Sequence, residues 1–169
     1  DSMRIAVGIG QGQVSDGLVD LAEEHYTVGS LNLDGATLNY DLPYEPLQPD
    51  RLDYSHLHLS DIGLHVDSLL YHSPITQMNI RHLSAKEQCG LTIEELNGLL
   101  TLDATGIRIP QAVLRTPYSY IRARADIDYS MADSISTGQM NVDLEAQLHP
   151  SDLLPIIPSL ATSRTSSLT

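Results

Sequence analysis

The stretch QMNVDLEAQL, residues 139–148, sorts completely at period two. Met140, Val142, Leu144, Ala146 and Leu148 fall on one side, and Asn141, Asp143, Glu145 and Gln147 on the other. A helix would scatter the apolar set around its circumference, whereas successive strand residues point to opposite faces of a sheet. Residues 121–129 repeat the design, with Ile121, Ala123, Ala125, Ile127 and Tyr129 alternating with Arg122, Arg124, Asp126 and Asp128.

The same period runs outward through the chain. In LHLSDIGLHVDSLLY, residues 57–71, the apolar positions are Leu57 and Leu59, then Ile62, Leu64 and Val66. That one-residue slip keeps the apolar set on one face only if a bulge absorbs the extra residue. Similar slips occur near Gly29-Ser30 and Gly35-Ala36. Further strands read at 26–33, 36–42, 75–83, 91–96, 98–103, 107–109 and 111–115. Turn signals separate them: LPYEPLQPD at 42–50, HSP at 72–74, DATG at 103–106, TPYS at 116–119 and STG at 136–138. Helix is confined to SDLLPIIP, residues 151–158, where Ser151 is an N-cap and Pro155 and Pro158 allow about one turn. The pattern predicts an all-β, mostly antiparallel fold of about 9–12 short strands, with at most one short helix near 151–155. It reads as one β-rich module over residues 1–158, a piece of a longer protein, followed by a flexible polar tail at 159–169.

Composition narrows the function classes. A net charge of −13 repels phosphate backbones, and Arg115, Arg122 and Arg124 are the nearest approach to a basic patch, so a nucleic-acid partner is not expected. Eight tyrosines with no Phe or Trp leave an apolar set built on aliphatic side chains. Cys89 is the single cysteine, which rules out an internal disulfide, and it lies in KEQCGL as a turn or buried residue rather than a nucleophile. No run of 18 apolar residues reads as a membrane span, and no signal peptide is legible.

MRIAVGIGQGQ, residues 3–13, raises the possibility of a dinucleotide site, with SDGLVDLAEEHY at 15–26 as a helix and Asp34 as a ribose ligand. Gln13 stands where that fingerprint wants a small residue, and almost no helix follows. The β reading is preferred, with Met3, Ile5, Val7 and Ile9 facing the core. His56 and His58 share a strand face but have no legible third ligand, so exposed strand histidines are expected and no metal site. Ser55, Ser60 and Asp61 lie in no nucleophile elbow. No catalytic constellation emerges; a non-enzymatic protein without a cofactor is expected.

Three runs carry a family resemblance: LDYSHLHLSDIGLHVDSL, LSAKEQCGLTIEELNG, and DATGIRIPQAVLRTPYS. With YTVGSLNLDGATLNYDLP ahead of them and LEAQLHPSDLLPIIP behind, they resemble the TamB and AsmA-like translocation and assembly proteins of Bacteroides-type bacteria over residues 26–158. The resemblance implies a middle segment of a periplasmic bridge anchored in the inner membrane elsewhere in the chain. It implies an elongated, curved sheet folded into an open apolar groove, a taco-like β-solenoid. It also implies a role in outer-membrane biogenesis, by phospholipid transfer or by assisting outer-membrane protein assembly with a BamA-type barrel that binds outside this segment. Acyl chains need only a continuous apolar surface, worth about 0.8 kcal/mol for each buried CH₂. The expected lining is Leu64, Val66, Ile121, Ala123, Ile127, Val142 and Leu144. The competing expectation is a cell-surface β-sandwich that binds protein or glycan, with Tyr44, Tyr118 and Tyr120 exposed beside its loops.

Overall fold

The computed structural model describes residues 3–48, 51–128 and 139–159. Eleven strands form one sheet: β1 (Arg4–Gly8), β2 (Gln11–Ser15), β3 (Leu18–Asp20), β4 (His25–Val28), β5 (Ser30–Asp41), β6 (His56–His72), β7 (Ile75–Glu87), β8 (Thr92–Asp103), β9 (Gly106–Arg115), β10 (Tyr120–Asp128) and β11 (Gln139–Gln147). One short helix, α1 (Pro150–Leu153), follows. The sheet is open and curved. Its order is β1-β5-β6-β7-β8-β9-β10-β11, with β2 beside β5 and β4 between β3 and β6. Every pairing is antiparallel. The short N-terminal strands are interrupted ribbons, so the sheet amounts to a meander of eight rungs. Each rung packs on its sequence neighbours, and no second layer is stacked on the sheet among the described residues.

Interruptions fall where the apolar alternation slips. Between β5 and β6 the register shifts from Leu33/Leu64 to Ala36/Ile62 and again to Leu38/Leu59. Asp61 takes a φ of 49° and Gly35 a φ of 66° at these shifts. Each bulge holds two residues against one, which restores Leu57, Leu59, Ile62 and Leu64 to a common face. Gly29 separates β4 from β5. The glycine stretch has a steric explanation as well. A Cβ at Gly10, where β1 gives way to β2, would sit 2.8 Å from the Asp34 carbonyl oxygen. Residues 18–28 form the β3–β4 hairpin rather than a helix, which removes the dinucleotide reading.

Two strand predictions merge. Residues 107–109 and 111–115 belong to one strand, β9, and Pro110 lies inside it. Opposite it the register jumps from Ala123/Ala112 to Ala125/Ile109, so Pro110 and Gln111 together face Arg124. A proline is tolerated at a bulge, where no ladder N–H is required. The Arg124 Nε–H donates to the Pro110 carbonyl at 3.0 Å. Likewise 91–96 and 98–103 form one strand, β8. The STG turn and Tyr129 lie outside the described residues, as does the tail from residue 160 onward.

Candidate functional site

Directly opposed residues of an antiparallel pair share a face, so register carries sidedness across the sheet. Met140, Val142 and Leu144 oppose Ile127, Ala125 and Ala123. Those in turn oppose Ile107, Ile109 and Ala112. Leu96 sits beside Leu114 and Leu102 beside Ile107. Met78 sits beside Leu100 and Leu83 beside Leu96. Leu64 opposes Leu83, and Val66 opposes both Ile80 and Leu31. Ile5 and Val7 oppose Tyr40 and Leu38 at the far edge. One face of the sheet is therefore apolar from β1 to β11. At the β3–β4 end Tyr26 and Tyr71 stack across the strands with ring centroids 5.6 Å apart.

The other face is polar and laced with ion pairs. Arg81 reaches Asp67 at 2.7 Å, Arg115 reaches Glu95 at 3.2 Å, and Arg122 reaches Glu145 at 3.4 Å. Arg108 stands among Asp103, Asp126 and Asp128 at 2.9, 3.8 and 3.4 Å. Such exposed pairs contribute little stability, typically below about 1 kcal/mol each, but they keep that face wet. Sidedness is the main organising feature of the molecule.

The seven expected lining residues all lie on the apolar face, with different access. Val66 is 4% exposed at the centre of the sheet, so it supports the surface rather than presenting itself. Leu64, Ile121, Ala123 and Ile127 are half-buried. Val142 and Leu144 on β11 are 51% and 66% exposed. Met3, Ile5, Val7 and Ile9, expected to face a core, are exposed at the opposite edge because nothing among the described residues lies over them. Among the described residues, the four buried apolar ones, Ala36, Val66, Ala85 and Val113, are all small, and no large side chain is completely buried. With no stacked layer, shielding at the centre comes from neighbouring side chains and the curvature of the sheet itself.

A shallow apolar hollow of about 130 Å³ opens between Met78, Ile80, Leu96, Leu100, Ile109 and Ala112. It exists because Gly98 and Ala112, directly opposed, place almost no side chain between longer ones. An engineered apolar cavity of about 150 Å³ takes up benzene, so the hollow is on the scale of a small hydrocarbon group. Sequence reasoning missed it. Its signal was a glycine and an alanine at interior strand positions, visible only once the register between β8 and β9 is known.

One end of the sheet is closed by polar chemistry. His56, expected to be exposed, is buried: its Nδ1 lies 3.0 Å from Asp53 and its Nε2 lies 3.4 Å from Asp41. The loop ahead of β6 folds over it. Burial works to raise the Asp53 carboxyl, but donors from the Gln48 and Ser55 N–H groups and from His56 outweigh it and hold the group below its usual range. Asp152 is a second hub. It accepts from the Thr116 and Ser119 hydroxyls, each at 2.6 Å, and from the Tyr118 N–H at 3.1 Å. Desolvation opposes these bonds and loses, so this carboxyl also lies below its ordinary value. The Leu52 N–H donates to the Pro155 carbonyl at 2.6 Å. The segment after β11 thus runs along this end of the sheet, from the β9–β10 turn to the loop before β6.

Among the described residues, no group of three or more His, Cys, Asp or Glu side chains is arranged to hold a metal ion. Burial, and then the Glu87 side chain, push the Cys89 thiol up, away from nucleophilic character. Tyr44 and Tyr118 are exposed, whereas Tyr120 is half-buried between the Arg115 and Arg122 guanidinium groups at 5.4 and 5.8 Å. No described helix is long and apolar enough to cross a membrane. Compared with protein-family models, curated proteins and solved structures, the chain matches none.

Proposed function

We propose that this chain is a non-enzymatic lipid-handling segment of a cell-envelope bridge, whose apolar sheet face lines a path for phospholipid acyl chains. The observation that carries the reading is a continuous apolar face on a single-layered sheet, with no stacked layer over it among the described residues. An ordinary soluble domain buries such a face, because monomers rarely expose apolar patches beyond a few hundred Å². A diffusing acyl chain asks for sidedness and continuity and for no reactive group, and both properties run from β1 to β11. Ion pairs and the acidic balance on the other face keep a long sheet hydrated. The sequence's resemblance to TamB and AsmA-like proteins supports this reading and implies work between the inner and outer membranes. The β-sandwich alternative needs a second sheet, and none is present among the described residues.

The test is lipid capture by the purified chain. Incubation with phosphatidylcholine vesicles carrying a fluorescent acyl chain, followed by size exclusion, should leave labelled lipid with the protein. Leu144→Asp and Ile121→Asp should each abolish retention with the circular dichroism spectrum unchanged. Asn141→Asp, on the polar face, should not. A folded wild-type chain that retains no lipid would defeat the proposal.

A further inference from the structure

Polar burial is confined to one rim of the sheet. Among the described residues the buried polar side chains are Asp53 ahead of β6, His56 at its start, Glu87 at the end of β7 and Ser119 just before β10. The segment after β11 crosses that rim, and register shows on which side. Tyr120 pairs with both Arg115 and Gln147, on the polar face. The next residue along each strand, Ser119, Thr116 and Leu148, therefore turns to the apolar side. The Thr116 N–H donates to the Ser119 carbonyl at 3.1 Å, which extends the β9–β10 ladder by one rung. Asp152 accepts from both of those hydroxyls. Residues 148–157 accordingly lie over the apolar side of the rim, beyond the pair formed by Ile121 and Leu114.

What holds this segment down is polar. The His149 N–H donates to Ser119 Oγ at 2.9 Å, and Asp152 accepts its three bonds from the β9–β10 turn. Five residues on from the His149 bond the far end is fastened by the Leu52 N–H to the Pro155 carbonyl. Hydrophobic packing adds little: α1 has no buried residue, and Leu154, Ile156 and Ile157 stay 37%, 44% and 44% exposed. Hydrogen bonds that water can replace contribute modestly, and a single helical turn has no stability of its own. Segments with few buried apolar contacts are the ones that open locally. We infer that residues 148–157 form a hinged strap, latched at Asp152 and Pro155, that lifts off the rim as a unit and opens the apolar face from the side. The hinge lies at Leu148, one residue beyond the pairing of Gln147 with Tyr120. Its use, sideways admission of an acyl chain toward Ile121 and Leu114, rests on the lipid reading above; the lifting itself does not.

Amide hydrogen exchange of the intact chain, read by nuclear magnetic resonance, tests the strap. The Leu52, Tyr118, Leu154 and Ile156 N–H groups donate to Pro155, Asp152, Pro150 and Leu153. They should share one opening constant, about tenfold or more above that of the β7–β8 ladder. Asp152→Ala removes the near latch and should speed exchange at Leu52, the far latch, about tenfold, matching its effect at Ile156 and leaving the β7–β8 ladder unchanged. Faster exchange at Tyr118 with none at Leu52 would reduce the strap to two separate contacts and overturn the inference. So would exchange of all four groups at the rate of the ladder. Acyl-labelled lipid from phosphatidylcholine vesicles should enter the Asp152→Ala chain severalfold faster than wild type; equal rates beside faster exchange would overturn sideways admission. A wild type that takes up no lipid would defeat the lipid reading, and exchange would still decide whether the strap lifts.

Discussion

If the apolar face is open, equal chemistry at its centre and at its edge must have unequal cost. Val66 at 4% exposure and Leu144 at 66% exposure lie on the same face and provide the comparison. Val66→Ala removes two carbon groups worth about 0.8 kcal/mol each, and the incompletely collapsed space adds to that, so the loss should be about 2 kcal/mol. Fully burying a leucine is worth about 1.5–3 kcal/mol. Leu144 has only a third of its surface covered, so even complete removal of that contact is worth about 0.5–1 kcal/mol, and Leu144→Ala should cost less than about 0.7 kcal/mol. Urea unfolding monitored by far-ultraviolet circular dichroism separates the two, provided the slope with denaturant stays constant. A Leu144→Ala cost of 2 kcal/mol or more would mean that a covering layer packs on β11, and the single-layered description would be wrong.

Other consequences are as direct. Gly106→Ala should cost about 2 kcal/mol or more in the same assay, because a Cβ there collides with the Ile127 carbonyl oxygen across the β9–β10 pair. The Asp53 and Asp152 carboxyls are both held below their ordinary values, so their stabilisation is complete above pH ~4 and is lost as pH falls through the lower native-state values. Acid titration of wild type against Asp152→Asn should show less loss below that pH in the variant; equal slopes would contradict the hub at Asp152. Ala112→Leu fills the hollow beside Gly98, so it should reduce retention of acyl-labelled lipid severalfold while leaving the thermal midpoint within a few degrees. Arg124→Met removes the donor to the Pro110 carbonyl and should cost about 1 kcal/mol, the usual worth of such a bond.

Much of the architecture was legible because alternation is a local property. The alternation at 121–129 and at 139–148 reads straight from period two, and the slip between Leu59 and Ile62 marks a bulge by itself. What stayed illegible depended on pairing. Pro110 reads as a strand break until Arg124 across the bulge is seen to satisfy its carbonyl. His56 reads as an exposed strand histidine until the loop ahead of β6 brings Asp53 back over it. Met3, Ile5, Val7 and Ile9 were assigned the correct side of a strand, yet sidedness does not reveal whether anything lies on top. The hollow at Gly98 and Ala112 needed the register of two strands at once.

The most direct test of the open apolar face is made in the cells that produce the protein. A photo-cross-linking residue replaces Leu144 or, as the opposite-face control, Asp143, and the adducts are identified by mass spectrometry. The account predicts phospholipid captured at Leu144 and none at Asp143. Adducts at Leu144 consisting only of cross-links within the same protein would contradict it, because they would mean that the apolar face is covered by protein rather than open to lipid.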